Sequence, residues 1–154
     1  MASKIKLTKG KYAIVDSKDF KWLNQWKWLF TGGGYAARAI GTKGEQKFIY
    51  MHKIIINCSN KMEVDHKNNE KLDNRRINLR EATRSQNCVN RKYFNKTGLR
   101  GVQQRSKNSF RATLHIDGKW KSLGHFSSLK IAALAYNQAA IKNFGEFARL
   151  NYGF

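Results

Sequence analysis

The apolar and polar positions of the N-terminal third follow the spacing of short strands with one helical segment among them. Alternation with a period of two predicts strands at 11–16 (KYAIVD) and 35–40 (YAARAI). Between them, DFKWLNQWKWLF at 19–30 has apolar residues at helical spacing, which predicts a short helix or turn that runs into a strand. The segment KFIYMHKIIIN at 47–57 is predicted to be a strand, or a strand that passes into a helix. We therefore expect an antiparallel β region at the N-terminus.

The next segment, 59–94, is polar and carries few apolar residues. Its clearest signal is a helix start, because Thr83 followed by Gln86 fits a capping box in which each side chain satisfies a backbone N–H of the first turn. The pattern predicts a helix from about Arg84 to Arg91 or Lys92.

The C-terminal segment predicts three short strands followed by one amphipathic helix. A loop at 107–109 and a hairpin turn at Asp117-Gly118 separate the strands. Ser127 or Ser128 is expected to cap the helix and Gly145 to end it. Its apolar face comprises Leu129, Ala132, Ala133, Tyr136, Ala140 and Phe144.

These patterns together predict an α+β protein of two domains. Residues 1–94 hold the N-terminal antiparallel β region and the polar segment, and residues 95–154 form a small three-stranded antiparallel sheet packed on one helix.

Charge narrows the choice of partner. The 154 residues include 30 Lys and Arg against 10 Asp and Glu, a formal net charge of +20. Such an excess favours a polyanion, and nucleic acid binds basic proteins largely through release of condensed counterions. An anionic membrane is the competing partner, but it requires a basic amphipathic helix or a hydrophobic anchor, and the sequence offers neither. The N-terminus has no apolar signal core, so we expect a cytoplasmic protein without a membrane partner.

The polar segment contains the residues that phosphodiester cleavage needs. A general base must activate water, and histidine suits this because its ordinary pKa lies near neutrality. Asp65 and His66 are adjacent, and they are useful together only at the end of a strand, where the chain turns. Downstream, Asn78 is placed where a returning strand would set it beside the histidine. Asn87 lies in the predicted helix, where its amide oxygen could join Asp65 on Mg²⁺ or Mn²⁺.

Residues 62–92 resemble the HNH endonuclease motif, in which two strands and a helix surround one metal ion, and whose phage and intron-encoded variants have asparagine at the last position. The resemblance implies that Asp65 and Asn87 are metal ligands and that His66 is the general base. It also implies that Asn78 fixes the loop between the strands and helps to orient the histidine.

Other residues of this segment are interpreted around that site. His52, in a stretch that looks like the MHR-type sequence preceding the motif in homing endonucleases, is interpreted as a satisfied structural histidine. Cys58 and Cys88 lack zinc-finger spacing and are interpreted as free, partly buried thiols. The arginines of the motif are expected to position DNA phosphates, although some of them are open to the alternative of a solvated surface charge: Arg75, Arg76, Arg80, Arg84 and Arg91.

Residues 97–154 are similar to the plant ethylene-response-factor (Apetala-two type) DNA-binding domain. The signatures are RGV, LG-x-F, A-x-AY-x-x-AA and GEFA-x-LN. Domains of this type lay a three-stranded sheet in the major groove. The resemblance implies DNA contacts by Arg100 and Arg105, while Gln103 could read adenine. Arg111, Lys119 and Lys121 add positive charge on or near the sheet.

The sequence therefore predicts a metal-dependent HNH DNA endonuclease of the homing type that acts on double-stranded DNA with sequence preference. One Mg²⁺ or Mn²⁺ per active site implies one cut, so a monomer should nick, and a dimer or two sequential events would be needed to break both strands. No small-molecule ligand is expected. Two alternatives stay open: a non-catalytic DNA-binding transcriptional regulator on a nuclease-derived scaffold, and an RNA-binding protein. The intact Asp-His-Asn-Asn set argues against the first, and the lack of an aromatic-studded strand argues against the second.

Overall fold

A computed structural model describes residues 1–42, 44–91 and 95–153, and within them the chain forms ten strands and four helices. The fold is α+β with small antiparallel sheets, as predicted. The chain divides into two units, Met1–Thr83 and Arg84–Phe154, and each has its own hydrophobic core. The predicted boundary between residues 94 and 95 adjoins residues 92–94, which lie outside the described residues, so that boundary stays a prediction.

The first unit contains two antiparallel hairpins, one three-stranded antiparallel sheet and two short helices. In chain order its elements are β1 (Ala2–Lys6), β2 (Tyr12–Asp16), α1 (Ser17–Leu23), β3 (Leu29–Phe30), β4 (Ala36–Ile40), β5 (Lys47–Tyr50), α2 (Met51–Ile55), β6 (Glu63–His66) and β7 (Leu79–Ala82). β1 pairs with β2, β6 pairs with β7, and the central sheet has the order β3-β4-β5.

Most of these elements agree with the apolar pattern. The predicted helix that runs into a strand is α1 followed by β3, and the predicted strand that passes into a helix is β5 followed by α2. The sequence did not predict β1, because only one of its five residues, Ile5, is buried. That strand exists because its backbone pairs with β2 at every position from Ala2 to Lys6.

The hydrophobic core of the first unit is formed by apolar side chains from its strands and helices. Leu23 at the end of α1 is fully buried, and the indole of Trp28 packs in the same core while its Nε1–H donates to Leu23 O at 2.8 Å. The β6–β7 hairpin packs on this core through Val64 and Leu79. The strand that bears Asp65 and His66 is therefore fixed by the packing of the residue that precedes them.

The second unit begins with α3 (Arg84–Asn90) and continues with β8 (Val102–Ser106), β9 (Ser109–Ile116), β10 (Lys119–Phe126) and α4 (Leu129–Phe144). The strands form an antiparallel sheet of order β10-β9-β8, packed against α4. The predicted apolar face of α4 is confirmed: four of its six residues are buried, and Leu129 and Phe144 pack against the same core.

Glycines set the turns of this unit. Asp117 and Gly118 both have positive φ, which is the geometry of the tight hairpin turn predicted there. Gly145 ends α4 with φ of 52°, as predicted. Ser128, one of the two residues predicted to cap the helix, occupies its N-cap position, but the Ser128 side chain makes no capping hydrogen bond. Gly101 has φ of 68°, and a Cβ atom there would collide with the ring of Tyr136.

Within the described residues, no helix combines the length and the apolarity needed to cross a bilayer.

Candidate active site

The Asp-His pair lies at the end of β6, where the chain turns. The β6–β7 register places Asp65 opposite Arg80 and His66 opposite Leu79. The strand stops at His66, whose carbonyl accepts a hydrogen bond from Asn69 N at 2.8 Å. Both side chains of the pair are buried. This placement at a strand end was expected from the sequence, because only there can the two side chains act together.

Asp65 is held by an arginine from the neighbouring strand. Arg80 Nε lies 2.8 Å and Nη2 lies 2.7 Å from Asp65 Oδ2, and only 13% of the Arg80 side chain is exposed. Arg80 was predicted to position a DNA phosphate, but here its guanidinium neutralises the buried carboxylate. A role for Arg80 on DNA therefore stays a prediction.

The donor chemistry of the site suits a hard divalent cation. A carboxylate oxygen such as that of Asp65 is the kind of ligand that Mg²⁺ and Mn²⁺ prefer. Among the described residues no three His, Cys, Asp or Glu side chains come together to hold a metal ion. A cation on Asp65 would thus need amide, phosphate or water oxygens among its other ligands. Asn87 is a half-buried residue of α3 in the second unit, and its assignment as the second protein ligand stays a prediction.

His66 is in an environment that keeps it neutral. Burial lowers the pKa of its imidazole, and this outweighs the opposing effects of a hydrogen bond with Asn74 and of the charges on Asp65 and Asp73. A neutral imidazole has one unprotonated nitrogen, which is what a general base requires.

The loop from residue 67 to residue 78 is fastened by Asn78. Its Oδ1 accepts from Asn68 N at 3.0 Å, its Nδ2 donates to Asp73 O at 2.7 Å, and its carbonyl accepts from Lys67 N at 2.9 Å. Within the part of the chain that the structure describes, Asn78 does not hydrogen-bond His66. The contact with the histidine is made by Asn74, whose Oδ1 lies 3.4 Å from His66 Nε2.

Sequence reasoning missed Asn74, although it stands in the LDNRR stretch of the recognised motif. The signal was present in the chain, because an asparagine in a polar turn between two strands is a common anchor of backbone groups. Nothing in the spacing, however, indicated that its side chain faces the histidine.

Two other arginines of the motif are paired with carboxylates of the first unit. Arg75 Nε and Nη2 lie 2.7 and 2.6 Å from the oxygens of Asp73. Arg76 Nε and Nη2 lie 2.8 and 2.9 Å from those of Asp19. These hydrogen bonds are the main reason that the pKa values of Asp73 and Asp19 are lowered. Both arginines thus tie down the loop, and their predicted phosphate contacts stay predictions.

His52 packs beside the candidate base. Its ring lies 5.2 Å from that of His66 and stacks on Tyr50 with centroids 5.5 Å apart. Its Nδ1 is buried and has no hydrogen-bond partner among the described residues, so the interpretation of a satisfied structural histidine is wrong. Burial, together with the charges of His66 and Lys53, lowers the pKa of His52 to about 3.

The cysteines are both free thiols, as interpreted. Cys58 is partly buried, whereas Cys88 is exposed, so the expectation of a partly buried thiol is wrong for the second.

In the second unit, the strand register divides the predicted DNA-contacting residues between the two faces of the sheet. Directly paired residues of antiparallel strands share a face. Arg111 pairs with both Gln103 and His125, on the face opposite the buried Ala112 and Leu114. This face also carries the exposed Trp120, whose ring lies 4.9 Å from that of His115.

The remaining predicted contacts lie elsewhere. Lys119 pairs with Ile116 and Lys121 with Leu114, so both lysines belong to the face that carries α4. Arg105 is exposed on β8, and Arg100 precedes it with its backbone N bonded to Asn151 Oδ1 at 2.7 Å. Arg84 opens α3 and Arg91 follows it, both exposed.

Comparison with known proteins gives a family model and one relative. The model, described as HNH endonuclease, matches residues 57–89, a range that includes Asp65, His66, Asn78 and Asn87. An uncharacterized HNH endonuclease of Acanthamoeba polyphaga mimivirus is 31% identical over 144 residues, which cover 93% of this chain and 76% of the relative.

Proposed function

The chain belongs to the HNH endonuclease family, and from that premise we propose that it is a metal-dependent enzyme that hydrolyses phosphodiester bonds in double-stranded DNA, with His66 as general base. The observation that carries the proposal is the buried Asp65-His66 pair at the turn that ends β6, within the residues matched by the family model. The net charge of +20 supports DNA as the substrate.

In the proposed reaction the neutral His66 takes a proton from a water molecule that attacks the scissile phosphate in line. Asn78 keeps the loop beside the histidine closed through its bonds to Asn68 and Asp73. Asp65, with Asn87, would hold one Mg²⁺ or Mn²⁺. Such an ion supplies positive charge for the phosphate and for the departing 3′ oxygen. The products would carry 5′-phosphate and 3′-hydroxyl ends.

Each chain has one Asp-His pair of this kind, so we propose that a monomer nicks one strand. We also propose that the enzyme is of the homing type with sequence preference. The second unit is proposed to act as an Apetala-two-like DNA-binding module. Its support is the face of the sheet opposite α4, which carries the exposed Gln103 and the half-buried Arg111. Arg105 lies on the edge strand β8, and Arg100 precedes that strand. Lys119 and Lys121 would contact phosphates from the other face of the sheet.

A second candidate is a non-catalytic DNA-binding regulator built on a nuclease scaffold. One observation favours it: both Nε and Nη2 of Arg80 contact Oδ2 of Asp65, so a guanidinium already neutralises the carboxylate that is proposed to ligate the metal ion. In this alternative the ion pair would be a structural replacement for the metal.

The two functions are separated by incubating the full chain with supercoiled plasmid that carries random inserts, in Mg²⁺, Mn²⁺ or EDTA, beside His66→Ala. We expect nicked plasmid with either metal, none with EDTA, and none with the variant. Electrophoretic shift of a DNA duplex is the control, because His66→Ala should still bind DNA. A wild-type protein that binds duplex but leaves the plasmid intact with both metals would establish the regulator instead.

A further inference from the structure

We propose that Asn74 is a positioning residue that holds His66 in the tautomer with its proton on Nε2, so that Nδ1 is the basic nitrogen. The inference rests on the proposed function of His66 as general base and adds a residue that acts through it.

The first observation is the contact between the two side chains. Asn74 Oδ1 lies 3.4 Å from His66 Nε2, and Asn74 is completely buried. The separation is long for a hydrogen bond, but catalytic hydrogen bonds are often long before substrate is bound. A buried amide oxygen beside a buried imidazole nitrogen is favourable only when a proton lies between them.

The second observation fixes which end of the amide faces the histidine. Asn74 Nδ2 donates to Leu72 O at 3.2 Å. A carbonyl oxygen can only accept, so the amide nitrogen must face Leu72 and the amide oxygen must face His66. That oxygen is also only an acceptor, so His66 Nε2 must carry the proton. A neutral imidazole has one proton, which leaves the lone pair on Nδ1.

The third observation is that Asn74 cannot easily turn. Its backbone N–H donates to Ile14 O at 2.7 Å, and Ile14 N–H donates to Leu72 O at 2.8 Å. Strand β2 therefore holds both ends of the segment that presents the amide. Because β2 is in turn paired with β1 along its length, the N-terminal hairpin is part of the frame that orients the proposed base.

Asn78 provides the matched comparison. Like Asn74 it is a buried asparagine of the same loop that bonds backbone groups, but in the described structure its side chain reaches Asn68 and Asp73 rather than His66. A change at Asn78 should loosen the loop without removing the acceptor for His66 Nε2–H.

The test is to assign the tautomer of His66 by long-range ¹H–¹⁵N NMR correlation in the full, metal-free chain with labelled histidine. Measurement at about pH 8 keeps the imidazole neutral. We expect Nε2–H alone in the wild type, a mixture of tautomers in Asn74→Ala, and Nε2–H alone in Asn74→Asp, which keeps an acceptor oxygen. Asn78→Ala should keep the wild-type tautomer.

Plasmid cleavage under single-turnover conditions is the second readout. We expect Asn74→Ala to lose about 10- to 100-fold in rate, the range found for residues that orient metal-ligating histidines, with duplex affinity unchanged. Asn74→Asp should recover part of the rate.

Each outcome decides the inference. A wild-type His66 protonated on Nδ1 overturns it, and this measurement stands even if Asn74→Ala does not fold. An Asn78→Ala variant whose tautomer shifts as much as that of Asn74→Ala also overturns it, because loop integrity would then set the proton. A wild type that never cuts DNA, yet whose tautomer depends on Asn74, supports the inference and overturns the proposed function.

Discussion

Replacing Arg76 by alanine should destabilise the first unit, because it leaves a buried carboxylate without its main partner. Only 5% of the Asp19 side chain is exposed, and Arg76 meets it with two hydrogen bonds of 2.8 and 2.9 Å. After the change, Trp22 Nε1–H, at 3.1 Å, is the side-chain donor that stays on that carboxylate.

The magnitude follows from the burial of the two partners. Breaking a fully buried ion pair costs about 3–5 kcal/mol, whereas exposed pairs contribute roughly 0–1 kcal/mol. Since 40% of the Arg76 side chain is exposed, water screens this pair in part. We expect a loss of about 2 kcal/mol in the free energy of unfolding near neutral pH, between those two limits.

The loss should depend on pH in a defined direction. The hydrogen bond from Arg76 is the largest cause that lowers the pKa of Asp19 below its ordinary value of 3.8. A carboxyl group with a lowered pKa in the folded state stabilises the protein above the unfolded-state pKa, and this stabilisation disappears as the pH falls below it. The difference between wild type and Arg76→Ala should therefore be full at neutral pH and shrink below 3.8.

The assay is urea denaturation across a pH series, followed by tryptophan fluorescence. A Trp120→Phe background leaves Trp22, Trp26 and Trp28, all in the first unit, as the reporters. Arg75→Ala is the matched control, because the Arg75–Asp73 pair is buried to the same degree. Its loss should cost less, because Asp73 keeps the Asn68 Nδ2–H donor at 2.9 Å and the backbone N–H of residue 75 at 3.4 Å.

Equal stability of wild type and Arg76→Ala at neutral pH would refute the reasoning. So would a difference that does not diminish in acid. If the variant instead kept its stability and lost affinity for duplex DNA, Arg76 would be a phosphate contact, as the sequence first indicated.

Three further outcomes are expected. Gly101→Ala should cost about 3 kcal/mol or more in unfolding free energy, because the added Cβ collides with packed atoms at positive φ. Gly118→Ala, also at positive φ but in open space, should cost about 1 kcal/mol. Equal losses of the two variants in urea denaturation would contradict this. His52→Phe should reduce the fall in the free energy of unfolding as the pH is lowered from 6.5 to about 3. The reason is that burial keeps His52 neutral in the folded state, whereas in the unfolded state it gains a proton. An unchanged pH profile of unfolding would contradict this. Arg111→Ala should weaken duplex binding, measured by anisotropy across a salt series, more than Lys121→Ala does. The reason is that Arg111 shares the proposed docking face with Gln103, whereas Lys121 belongs to the face that carries α4. The reverse order would contradict the proposed docking face.

The sequence by itself determined those features that depend on neighbours along the chain. Alternation predicted β2 and β4, helical spacing predicted α4 with its buried face, and Asp117-Gly118 predicted a tight turn. These succeed because strand, helix and turn preferences are local, and because burying one face of an element requires a regular spacing of apolar side chains. The Asp-His pair at a strand end was predicted in the same way.

The tertiary structure decided which polar groups meet. The arginines of the motif look alike in sequence, yet Arg76 reaches Asp19 far upstream and Arg80 reaches Asp65 on the adjacent strand. Asn74 and Asn78 stand in the same loop, but one faces His66 and the other holds the loop. A polar residue carries no periodic signal of its partner, because one hydrogen bond fixes a direction and a distance that exist only after distant segments have packed together.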